Sequence, residues 1–226
     1  MKRKLLVAAM VAGAMTVGVL AQGQRTGTEK FDASAIYQPG MTQMQMARAA
    51  CDMKKGLEVQ ACFVEQMKNG GASAPAVAFM HAIENNGFMR DFKDTGKVDI
   101  AFVYYVYRAN ENQGCLLVNG TPNIVDVDDY KLVPGKAELA KNPQYAALLK
   151  KEPNLIVFPG DRDGMNFITA SKTASGGQRF VVPYILSKCH ACAHAGQLNV
   201  AFEFDSDGKF LGAKIASVKA LPPPAN

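Results

Sequence analysis

The chain is poor in the residues on which most catalytic sites are built. It has three histidines in 226 residues and contains neither a GxSxG elbow nor an HExxH helix. The familiar hydrolase and zinc-protease constellations are therefore excluded. Beyond residue 21 no apolar run reaches the ~18 residues of a membrane span, so the mature chain is expected to be soluble. No Lys/Arg run survives beyond residue 4, and no internal repeat occurs. The first absence argues against a nucleic-acid partner, the second against a solenoid.

What is present begins with a leader. Lys2, Arg3 and Lys4 precede an apolar stretch from Leu5 to Leu20, and Val19 and Ala21 suit a signal-peptidase site. Residues 1–21 are read as a cleavable signal peptide, with cleavage after Ala21 and a periplasmic or secreted product. The formal charge of the chain is +5; three of those charges lie at positions 2–4, which leaves +2 after cleavage (5 − 3). Export sets the redox compartment, in which disulfides form and persist. Five cysteines is an odd number, so at least one lies outside an intramolecular pair.

Residues 22–40 lack periodicity and are read as a flexible or extended lead-in. A helical segment is expected over 41–92. TQMQMARAACDMKK is rich in helix formers and meets Gly56, read as the residue that ends it; LEVQACFVEQMKN follows and meets Gly70-Gly71. Ser73 caps a third helix, with Pro75 in its first turn. If the chain reverses at Gly56, Cys51 and Cys62 fall at the same level, about 7–9 Å along each helix. That spacing suits a Cys51–Cys62 staple across an αα-hairpin; two buried free thiols are the alternative.

An α+β sheet domain is expected over 93–220. KVDIAFVYYVYRA reads as an inner strand, apolar on both faces. KAELAKNPQYAALLKK is helical with a break at Pro143, LIVF is a short strand, and DRDGMNFITASKTASGG is mostly loop. QRFVVPYIL and LNVAFEF alternate cleanly, and Asp205-Ser206-Asp207-Gly208 turns the second into a returning strand. The fold class is α+β: an N-terminal three-helix segment, then a mostly antiparallel sheet ending in a β-hairpin. Residues 221–226 form a Pro-rich tail.

The chemistry concentrates at SKCHACAHAG, between the two alternating strands. Covalent haem attachment needs CxxCH, and Ala193 stands where that histidine belongs. A thioredoxin-type couple needs a helix start, whereas here a strand follows at once. Cys189, His190, Cys192 and His194 are candidate metal ligands, and Met41, Met44 and Met46 add soft sulfur suited to copper. The plainer use of such methionines is helix packing. The favoured reading is a disulfide involving this loop, either Cys189–Cys192 or one of the two with Cys115.

Elsewhere, EFDSDGKF lacks the last carboxylate of a calcium loop, because Lys214 stands there. His81 is read as a packed histidine, and Asp126, Asp128 and Asp129 as a solvated acidic edge. The strand, cysteine loop, strand, glycine turn and strand of Phe180–Ile215 resemble the periplasmic lysozyme inhibitors of bacteria. In that family a disulfide loop plugs the enzyme's cleft. The CHAC loop is shorter than the family's and lacks its proline, so the resemblance assigns no residue a role.

These readings give an exported, disulfide-stabilised binding or interaction module with no evident catalytic site. It carries no cofactor and binds an unnamed protein or small molecule. Copper or haem handling at CHACAH and thiol redox chemistry are the alternatives.

Overall fold

The computed structural model describes residues 24–108, 112–160 and 167–222. The leader with its cleavage site after Ala21, the DRDG stretch and residues 223–226 of the tail lie outside the described residues.

Three helices come first: α1 (Met41–Cys51), α2 (Leu57–Asn69) and α3 (Ala74–Ala82). The Ser73 hydroxyl accepts from the Ala76 amide and caps α3, whose first turn holds Pro75. α1 is shorter than its composition suggests. It stops at Cys51, where the Lys54 amide turns back to the Cys51 carbonyl at 3.0 Å. Gly56 therefore does not end α1; it is the residue before α2. Its backbone (φ 56°, ψ −134°) is one that side chains disfavour and glycine tolerates. Cys51 and Cys62 are joined by a disulfide across this reversal, with their Cα atoms 5.8 Å apart.

The strands form two antiparallel sheets rather than one. The first contains β1 (Gln24–Arg25), β2 (Gly87–Lys93), β3 (Asp99–Tyr105), β4 (Gln113–Val118) and β5 (Ile124–Asp126), in the order β1-β5-β4-β3-β2. β3 is an inner strand whose residues are buried save for the half-buried Tyr104. β2 corrects the expectation that helical structure runs to residue 92. Its alternation is broken by a register shift between Met89 and Asp91, which hides the period of two.

The chain then makes two short helices, α4 (Lys136–Leu139) and α5 (Pro143–Lys151), with Pro143 in the first turn of α5. The second sheet follows: β6 (Ile156–Pro159), β7 (Thr169–Lys172), β8 (Gln178–Ser187), β9 (His194–Phe204) and β10 (Phe210–Ala220). Its order is β10-β9-β8-β6, with β7 also paired to β8. β7 lies in the stretch read as loop; it is four residues long and three of them are exposed, too little pattern to show in sequence.

The main core lies between the sheets. Ile100, Phe102, Leu117 and Val125 of the first meet Phe180, Val182, Leu198 and Val200 of the second, and Leu139, Tyr145 and Leu148 of α4 and α5 join them. The other face of the first sheet is covered by Phe79 and Ile83 of α3 and by Phe31. α1 and α2 pack beside it, on Phe88 and Val106. The described part of the lead-in is pinned, and it includes a 3-10 turn at Ala33–Ala35 capped by Asp32. The Asn119 side chain donates to the Phe31 carbonyl and accepts from its amide, both at 2.8 Å. No helix among the described residues is long and apolar enough to cross a membrane.

Candidate functional site

β8 and β9 are paired along their length, and every second side chain of β8 from Phe180 to Leu186 is buried. Their register shifts between Leu186 and Ser187, and the shift opens the connection that carries CHAC. Cys189 and Cys192 are bonded to each other, with Cα atoms 5.1 Å apart, and the Cys192 amide donates to the Cys189 carbonyl at 3.2 Å. Beneath the loop sits the buried Ser187. Its hydroxyl lies 2.9, 3.4 and 3.1 Å from the carbonyl oxygens of Cys189, Cys192 and Ala193. One hydroxyl carries one proton, so it serves these carbonyls in turn and gathers the loop backbone around a single donor.

The loop is also held from the side. Lys188 pairs with Glu152, just after α5, and the His190 ring meets Phe158 of β6 edge-on at 5.3 Å. What remains outward is Lys188, Cys189, His190, Ala191, Ala193 and His194, all exposed. β10 ends beside this loop: Ala220 pairs with Gly196, and the Leu221 amide donates to the Ala195 carbonyl at 3.1 Å.

The structure separates the candidate metal ligands. Metal binding by cysteine requires the thiolate, and here both loop cysteines are in a disulfide. Met41, Met44 and Met46 lie on α1, which packs with α2 against Phe88 and Val106, whereas the loop belongs to the second sheet. Met41 and Met46 are exposed and Met44 is packed against the α1–α2 core. Helical periodicity turns Met44 and Met46 roughly 160° apart, so the three thioethers do not converge. Among the described residues no group of three or more His, Cys, Asp or Glu is placed to hold a metal ion. Cys115 is buried on β4, outside both disulfides.

Two expectations need correcting. His81 is exposed, not packed; its Nδ1 lies 2.8 Å from Asn85 Oδ1. Asp126 is not part of a solvated edge. It lies half-buried at the end of β5, on the face of the first sheet that α3 covers, and burial together with the nearby Asp128 pushes its pKa up to about 6. Beside it Tyr105 is buried, and burial and then Asp126 raise its phenol well above the usual range. The Arg108 guanidinium stands 3.5 Å over the Tyr105 ring. The ring lies against bare backbone at Gly114, where a Cβ would come within 2.4 Å of it. The alternation of IVDVDD places Asp126 and Asp128 on one face; that α3 covers this face has no local signal.

Comparison with protein-family models, curated proteins and solved structures found no match to this chain.

Proposed function

We propose that the chain is an exported binding module whose β8–β9 disulfide loop is a ready-shaped recognition surface for a protein partner. The observation that supports this reading most is the support given to the loop. It is cross-linked within itself, gathered on Ser187 from below, and tied to Glu152 and Phe158 at its flanks, while its outer side chains stay exposed. A loop ordered before contact loses little conformational entropy on binding, which is the physical advantage of pre-organisation. Two disulfides fit an oxidising compartment.

The test is site-specific photo-crosslinking in cells, from Ala191 in the loop and from Ser175 in the distant β7–β8 turn. The expected result is a discrete adduct from Ala191 only, lost when Cys189 and Cys192 are both replaced by serine. Adducts that ignore the disulfide, or none at all, would overturn the reading. Intact mass of the exported protein provides a second check. Stoichiometric copper with alkylatable thiols in the loop would transfer the assignment to metal handling.

A further inference from the structure

A second site lies between the first described residues of the chain and α3. The segment Arg25–Glu29, at and after β1, lines with Phe31 and α3 an open cavity of about 520 Å³. That volume is within the range of small-ligand sites. Its polar walls include Arg25, His81 and Glu29, and its apolar side includes Phe31 with Ala78 and Ala82. Ala78 and Ala82 are one helical turn apart on the same face, so two methyl groups leave the cavity open where larger side chains would fill it.

Two observations mark it as more than a surface hollow. The Arg25 side chain is only 28 % exposed; its ion pair among the described residues is a 3.4 Å contact from Nε to Glu84, its charge also reaches Asp126 and Tyr105, and it donates no hydrogen bond to any described residue. A guanidinium has five N–H donors in a planar fork, and a largely covered one normally spends them. Glu84 is itself 69 % exposed and engages only the Nε edge. The second observation is in the backbone. Glu84 and Asn85, just past the Ile83 cap of α3, both stand in the left-handed region at φ 61° and 60°. A helix commonly ends on one such residue, usually glycine; two in succession with side chains are costly. Their side chains go to the two basic residues of the cavity, Glu84 to Arg25 and Asn85 to His81. In the neutral imidazole the Asn85 contact places the proton on Nδ1 and leaves Nε2 available.

We infer that this cavity binds a small aliphatic carboxylate, its anionic head on the Arg25 guanidinium beside His81, in competition with the Asp126 carboxyl, and its short apolar body on Ala78 and Ala82. The fork matches a carboxylate in bidentate fashion. Glu29 on the wall provides a partner for an ammonium group, so the same head group can belong to a plain acid or to a free amino acid. This inference is independent of the disulfide loop.

The test is NMR titration of the exported chain with propionate, with alanine and with the neutral isostere propionamide. Saturable shifts at Arg25, His81, Ala78 and Ala82 are expected with propionate or alanine and are expected to be absent with propionamide. The tighter of the two acids identifies the source of the carboxylate. Arg25→Gln should weaken binding at least tenfold, and Arg25→Lys, which keeps the charge and loses the fork, several-fold. Asn85→Gly should weaken binding without loss of thermal stability, because it frees His81 while relieving the backbone. Equal shifts with propionamide, shifts scattered over surface lysines, or undiminished binding in both Arg25 variants would overturn the assignment. If Arg25→Gln does not fold, Arg25→Lys and the propionamide control decide the outcome.

Discussion

The molecule contains two hairpins closed by a disulfide, and they use the bond for opposite purposes. In the α1–α2 hairpin burial is thin on the α1 side, although α2 buries Phe63, Val64 and Met67. α1 buries only Ala47 and Cys51, and Met41, Met46, Met53 and Leu57 are 75 %, 68 %, 92 % and 81 % exposed. The β8–β9 hairpin is the reverse: Phe180, Val182, Tyr184, Leu186, Leu198, Val200, Phe202 and Phe204 are all buried. Burial of side chains this size contributes roughly 1.5–3 kcal/mol each relative to exposure. The attachment of α1 to α2 therefore depends on the staple. The strand pair holds without one, and its disulfide shapes the tip.

The largest expected effect tests the first half of that contrast. Cys51→Ser with Cys62→Ser should cost about 3 kcal/mol by the loop-closure estimate and release α1 first. Chemical denaturation gives the size, and hydrogen exchange should show protection lost in α1 and α2 while β8 and β9 keep theirs. Uniform loss across both regions would break the comparison. Cys189→Ser with Cys192→Ser opens a loop of sequence separation 3 rather than 11, so the same estimate gives about 2 kcal/mol. Its exchange signature should be confined to residues 188–193, and partner crosslinking from Ala191 should disappear.

The two sheets should also answer differently to pH. The folded-state pKa of Asp126 is raised to about 6, above the ordinary value of 3.8, so folding disfavours its charged form. Its contribution is fully present below about pH 4 and is lost as pH rises through about 6. The first sheet should thus lose protection across that window, and Asp126→Asn should remove the dependence and leave the protein more stable at pH 7. A flat profile in the wild type would count against the buried carboxylate. Ser187→Ala is expected to have a smaller effect, about 1 kcal/mol, with faster exchange confined to the loop amides. Met53→Gln, on the exposed turn between α1 and α2, should change stability by no more than about 0.5 kcal/mol.

Local pattern accounts for what was readable in the sequence. The clean alternation of β8 and β9, the turn at Asp205–Gly208, the cap at Ser73 and the break at Pro143 are each set by neighbouring residues. β2 escaped because its register shift spoils the alternation, and because Gly87 has a long-range cause. A Cβ there would stand 2.2 Å from the Tyr104 carbonyl oxygen, a strand-to-strand approach that no neighbouring residue reports. Gly56 was visible as a breakpoint, but whether it ends one helix or begins the next depends on where α1 stops. The state of Asp126 depends on burial beside Tyr105, Arg108 and Arg25, which the strand pairing brings to it from elsewhere in the sequence. The cavity is the extreme case, since Arg25 and His81, 56 positions apart (81 − 25), are brought together only by the tertiary fold. Of the loop, its position between two strands could be read; the Ser187 support and the ties to Glu152 and Phe158 could not.

The meeting of β10 with the loop has a practical side. Because Ala220 pairs with Gly196 and Leu221 bonds to Ala195, anything joined to the chain just past that point begins beside the CHAC tip. An affinity tag, a fluorophore or a sensor-chip tether placed there would crowd the surface it was meant to report on. Handles belong instead on the exposed β7–β8 turn at Ala174–Ser175, at the far end of β8.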